Sequence, residues 1–69
     1  MNARALNLPA LSAYATHFTE LASGETLWFV YDRMSLAVAE KGSALCKDRA
    51  VTAAAIVEDA WNVHAELGR

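Results

Sequence analysis

The stretch from residue 49 to residue 67 limits the fold more than any other part of the chain. It is rich in alanine, contains neither glycine nor proline, and ends just before Gly68, which together predict an α-helix. Apart from Arg49 and His64, its polar side chains share an arc of about 120°: Thr52, Glu58, Asp59, Asn62 and Glu66. A helix docked on one neighbour needs an apolar stripe of about 100°. The apolar surface here is about twice as wide, so we expect contact with more than one helix.

The chain is short, with 69 residues, which is about half of one typical domain and excludes a multidomain architecture. Such a chain buries only about 60% of the surface that it exposes when unfolded. A hydrophobic content of 55% argues against disorder, and a net charge of −2 excludes a strongly basic nucleic-acid coat. We therefore expect a single small domain over residues 1–69, with residues 1–8 irregular.

The segment 9–22 is predicted to be the first helix. Pro9 suits the first helical position, because the N–H that proline lacks would have no partner there. Apolar residues then recur at steps of three and four, and Ser23 and Gly24 end the pattern.

The segment 25–41 allows two interpretations. Drawn as a helix, it separates an apolar arc, which includes Tyr31, from a polar one, and 33–41 is mostly good helix formers. In the alternative, the β-branched and aromatic residues 26–31 form a strand, and 36–40 form the return strand of a hairpin. The helix is favoured, because residues 32–35 contain neither the Gly nor the Asn that tight hairpins prefer.

These segments predict an all-α fold, either a small three-helix unit or a helical hairpin. The alternative is an α+β fold with a β-hairpin at about 26–40 followed by a long C-terminal helix. Because chains of this size often associate to complete a core, we expect a homodimer.

Large apolar side chains on the outward side of the predicted second helix indicate a contact surface. The residues expected to bind a partner are Trp28, Phe29, Arg33 and Leu36. Trp and Arg are enriched at binding hot spots, whereas Tyr31 and Trp61 are better explained as core. The sequence thus predicts a non-enzymatic protein–protein interaction module, a small regulator or inhibitor that covers an apolar groove of another protein.

A basic cluster, Lys41, Lys47 and Arg49, flanks the predicted loop before the last helix. It supports an alternative function, a small DNA-associated regulator that contacts phosphates through residues 41–49. Against this, a helix-turn-helix protein needs basic and amide side chains on its recognition helix, and residues 50–67 carry only Asn62.

The sequence offers only weak candidates for a catalytic or metal-binding site. Cys46 has no histidine beside it in sequence, and the pair His17 and Glu20 lacks a second spaced pair of metal ligands. The carboxylates of the last helix are typical of a solvated face: Glu58, Asp59 and Glu66. We therefore predict no catalytic residue, no metal and no cofactor.

The compartment is predicted to be the cytoplasm. A single cysteine fits a reducing environment, and no apolar run approaches the ~18 residues that a membrane span needs. Residues 1–15 have a slight likeness to a secretion signal, but Asn7 and Pro9 interrupt their apolar core.

Overall fold

A computed structural model describes residues 12–68. The elements follow the order β1 (Tyr14–Glu20), β2 (Thr26–Asp32), β3 (Val38–Ala44) and α1 (Lys47–Leu67). The strands form an antiparallel sheet in the order β1-β2-β3, and the helix packs on one face of it. The all-α prediction is therefore wrong, and the α+β alternative, a hairpin followed by a long C-terminal helix, is confirmed.

Strand β2 forms because its side chains alternate between two environments. Thr26, Trp28 and Val30 are buried under the helix, and the residues between them are half-exposed. This period of two overrides the helical spacing that the apolar residues of 25–41 also satisfy. The segment is rich in β-branched and aromatic residues, which pack well on a pleated surface.

The first predicted helix is replaced by strand β1 over its described part. Tyr14, Thr16 and Phe18 lie opposite Asp32, Val30 and Trp28 of β2, so they share the helix-facing side of the sheet. Tyr14 and Phe18 are four residues apart, a spacing that suits both a helix face and a strand face. Residues 1–8, predicted to be irregular, and 9–11 of that helix lie outside the described residues.

The turn from β2 to β3 needs neither Gly nor Asn. The Asp32 side chain supplies the turn, because its Oδ1 accepts hydrogen bonds from the backbone N–H groups of Met34 at 2.8 Å and Ser35 at 3.2 Å. Leu36 takes the left-handed conformation that glycine would otherwise provide, with φ of 66°. The absence of Gly and Asn from residues 32–35 therefore did not argue against a hairpin.

The predicted last helix is confirmed, and α1 begins two residues earlier, at Lys47. It covers a sheet rather than two other helices. Among residues 12–68, the buried apolar core comprises Trp28, Val30, Ala50 and Ala54. The two alanines let the helix approach the sheet closely, and Trp28 and Val30 fill the space between the layers.

Polar contacts fix the helix over the sheet at both edges. The side chain of Asn62 accepts a hydrogen bond from the Tyr14 N–H at 2.8 Å and donates one to the Tyr14 carbonyl at 3.3 Å. The Trp61 ring lies 5.3 Å from the Tyr14 ring, while its Nε1 donates to Glu40 of β3 at 3.0 Å. The sheet thus has one face covered by α1, and its register determines which residues remain on the other.

Gly42 of β3 provides the space that Trp28 occupies. The two residues are paired in the sheet, and a Cβ at position 42 would overlap Cζ2 of the Trp28 ring and lie 2.7 Å from its Cε2. The large ring therefore requires glycine at this position.

We predict that Gly42→Ala lowers the free energy of unfolding by about 1–3 kcal/mol, because overpacking displaces the Trp28 ring. Urea unfolding followed by tryptophan fluorescence measures the change. Gly68→Ala is the matched control, because its Cβ would meet nothing closer than 3.5 Å. Equal midpoints for Gly42→Ala and the wild type would contradict this packing.

Two buried polar atoms in residues 12–68 have no hydrogen-bond partner, Thr26 Oγ1 and Trp28 Nε1. Thr26 is fully buried, so its hydroxyl has lost its water without replacement.

We expect Thr26→Val to raise the free energy of unfolding by about 1 kcal/mol, because valine has the same shape without the unsatisfied hydroxyl. Thermal and urea unfolding test this. The control is Thr19→Val at an exposed strand position, where the change should stay within about 0.5 kcal/mol. A destabilised Thr26→Val protein would indicate that the hydroxyl has a partner.

Candidate binding surface

The face of the sheet opposite α1 is the candidate binding surface, here called the open face. Its centre is the half-exposed side of β2, with Leu27, Phe29 and Tyr31. The sheet register places the neighbouring strand residues beside them: Ala15, His17, Thr19, Val38, Lys41 and Ser43. Alternation along each strand sends these side chains away from the helix. Val38 joins them because the register of β3 shifts by one residue beside Val30 and Tyr31.

Phe29 lies at the middle of the open face. It is paired with His17 on one side and with Lys41 on the other, so the three form one row across the sheet. The His17 and Phe29 rings are 6.4 Å apart and tilted by 33°. Shallow depressions adjoin Phe29 on both sides, one lined by Leu27 and Lys41 and the other by His17 and Tyr31. Aromatic surface therefore lies within reach of a cation.

Carboxylates are excluded from the open face, although the chain is acidic overall. All eight Asp and Glu residues lie elsewhere among residues 12–68. Glu20, Asp32 and Glu40 are opposite Thr26, Tyr14 and Val30, on the helix side, whereas Glu25 lies in a turn and the other four lie on α1. Although the net charge is −2, the charged side chain of this face is therefore a lysine, Lys41.

The four residues predicted to bind a partner do not share one surface. Trp28 is 7% exposed and belongs to the core, because it alternates with Phe29 along a strand instead of lying beside it on a helix. Phe29 is on the open face. Leu36 is exposed in the adjoining turn, and the Arg33 guanidinium donates to the Ser12 carbonyl at 3.3 Å. The outward helix face on which the prediction rested does not exist; a partner role for these residues stays a prediction.

The basic cluster is divided by the sheet. Lys41 lies on the open face of β3, whereas Lys47 and Arg49 are exposed in the first turn of α1, in the other layer. The residues 41–49 therefore do not form a single basic loop. Lys41 joins the aromatic residues of β2 instead.

The residues considered for catalysis or metal binding are also separated from one another in the structure. His17 and Glu20 are three apart on a strand and so point to opposite faces. Glu58 accepts a hydrogen bond from Thr16 at 3.0 Å, and Cys46 is an exposed free thiol that precedes α1. No group of three His, Cys, Asp or Glu residues in the described part of the chain is arranged to hold a metal ion.

Sequence reasoning missed Tyr31 and His17 as members of the open face. Tyr31 was assigned to the core because a helical period groups it with Leu27 and Val30. The signal that identifies both residues is alternation: large side chains at 27, 29 and 31 oppose buried ones at 26, 28 and 30.

Comparison with known proteins adds no identification: no family model, curated protein or solved structure matches this chain significantly. In the part of the chain that the structure describes, α1 lacks the continuous apolar character that a membrane-crossing helix requires. The cytoplasmic location stays a prediction.

Proposed function

We propose that this protein binds single-stranded nucleic acid on the open face. The observation that carries the proposal is the row His17, Phe29 and Lys41, with Tyr31 two positions further along β2, on a surface without carboxylates. Single-strand binding proteins combine aromatic stacking platforms with basic side chains that follow the backbone. This proposal develops the DNA-associated alternative and moves its site from residues 41–49 to the sheet.

The spacing of the aromatic residues favours single strands over duplexes. Alternate residues on a strand are about 6.7 Å apart, roughly twice the 3.4 Å rise between stacked bases. Bases that stack on Phe29 and on Tyr31 must therefore be separated from one another. An intact duplex does not present its bases in this way, whereas a flexible single strand does.

The charges on the open face favour an anionic ligand, but they contribute little to its affinity. Lys41 attracts phosphates, and no carboxylate on the open face repels them. When one or two phosphates of a single strand are neutralised, the logarithm of the binding constant falls with the logarithm of the salt concentration with a slope, the salt slope, of only about −0.7 per phosphate. We therefore expect weak, mildly salt-dependent binding dominated by stacking.

A protein partner for the same face is the competing possibility, in keeping with the predicted interaction module, because Leu27, Phe29 and Tyr31 also offer apolar area. The two functions differ in what they need from Phe29. Stacking requires an aromatic ring, whereas an apolar protein groove accepts an aliphatic side chain of similar size.

We predict that Phe29→Leu and Tyr31→Ala each weaken binding to a labelled single strand by roughly 5- to 150-fold, the equivalent of about 1–3 kcal/mol per stacked base. Fluorescence anisotropy with a labelled oligothymidine measures Kd at low salt. An oligothymidine of about 15 nucleotides is suitable, because it is close to the longest stretch that one single-strand binding fold covers. A duplex of equal length should bind more weakly than the single strand.

Lys41→Gln tests the contribution of charge, and Lys47→Gln is its control. Both variants remove one positive charge, the first from the sheet and the second from α1. Only Lys41→Gln should weaken binding and reduce the salt slope, by about 0.7. Absence of binding at low salt, or equal losses from the two lysine variants, would refute the proposed site. Equal affinity for Phe29→Leu and the wild type would reject stacking.

A further inference from the structure

One flank of α1, beside its sheet-facing side, carries a largely apolar stripe that begins with Arg49. Its members recur at steps of four and three residues: Arg49, Ala53, Ile56, Ala60, Val63 and Leu67. The sheet-facing side of the same helix is marked by the buried Ala50 and Ala54. The large members of the outer stripe, as we call it, lie more than a quarter turn from both alanines at about 100° per residue. Ala53, at the edge of the stripe nearest the sheet, is half-buried and packs against the core.

The large apolar side chains of the outer stripe are exposed to solvent. Ile56 is 67% exposed, Val63 50% and Leu67 81%. Large apolar groups grouped on one surface indicate a contact with another molecule.

We propose that the outer stripe is a dimer interface, at which α1 packs against α1 of a second copy of this chain. The alternating steps of four and three are the spacing with which one helix packs into the grooves of another. The exposed Ala60 allows close approach, and the larger side chains interleave on either side of it.

Charge complementarity favours a second copy arranged antiparallel. When the two stripes overlap along their whole length, Arg49 of each chain lies beside Leu67 and Glu66 of the other. The guanidinium then neighbours a carboxylate and the negative carboxyl end of the partner helix. Both chains make this contact, as the two-fold symmetry of an isologous dimer requires.

The available area is also of the size that a stable dimer needs. Such an interface covers about 800 Å² on each partner, of which about 60% is apolar. Three aliphatic side chains that are half to four-fifths exposed, with the exposed Ala60 between them, supply most of that apolar share. Because the buried apolar core within residues 12–68 is small, a chain of this size has reason to associate.

Sedimentation equilibrium of the full chain, from micromolar to millimolar concentration, tests the proposal. We expect a monomer–dimer equilibrium in which Ile56→Glu and Val63→Glu each raise the dissociation constant at least about tenfold. Val51→Glu is the control, because Val51 is 43% exposed on α1 but lies outside the outer stripe. Circular dichroism verifies that each variant folds.

A charge exchange tests the antiparallel alignment. Arg49→Glu should weaken the dimer, and Arg49→Glu combined with Glu66→Arg should restore it. A chain that stays monomeric throughout, or a dimer unaffected by Ile56→Glu but lost in Phe29→Leu, would overturn the proposal. Because Phe29 and Lys41 lie on the opposite face, loss of nucleic-acid binding in their variants is independent of this result.

Discussion

The structure depends on the side of β2 to which Trp28 points. The indole enters the layer between the sheet and α1, where Gly42 leaves room for it and Ala50 and Ala54 let the helix close over it. Because side chains alternate along a strand, this placement also sends Phe29 to the other face. A register slip of one residue would exchange the core with the candidate binding surface.

Two thin layers cannot enclose all the apolar residues of this chain. One helix covers one face of the sheet, so the open face and the outer side of α1 are both left without cover from residues 12–68. The two surfaces differ in chemistry. The open face is aromatic and lacks carboxylates, which suits an anionic ligand, whereas the outer stripe is aliphatic and spaced for a helix. One chain can therefore dimerise through α1 and keep its sheet free.

The helix was predictable because its cause is local. Residues 47–67 are rich in alanine and contain neither glycine nor proline, and no tertiary contact is needed to identify them. The strands were harder, because Tyr14 and Phe18, or Leu27 and Tyr31, satisfy a helical spacing as well as alternation. The hairpin turn could not be recognised from its residue types. The Asp32 side chain accepts the turn hydrogen bonds and Leu36 adopts the positive φ, where Asn and Gly are the usual residues.

The candidate site was only partly predictable for a related reason. Phe29 was predicted to lie on the surface, because the helical interpretation that buries Val30 leaves Phe29 beside the polar side. The grouping of Lys41 with His17 and Phe29 is a product of strand pairing between residues far apart in sequence. Proximity along the chain instead suggested a cluster of Lys41 with Lys47 and Arg49, which the sheet divides.

Side-chain contacts of Trp28 and Phe29 provide the most direct test of this account. Nuclear Overhauser spectroscopy on the labelled chain should connect the Trp28 indole protons with the methyl groups of Ala50 and Ala54, and the Phe29 ring with the His17 ring. Contacts from the Phe29 ring to Ala50 or Ala54, with none from Trp28, would show that the strand faces the opposite way, and both proposed surfaces would lose their basis.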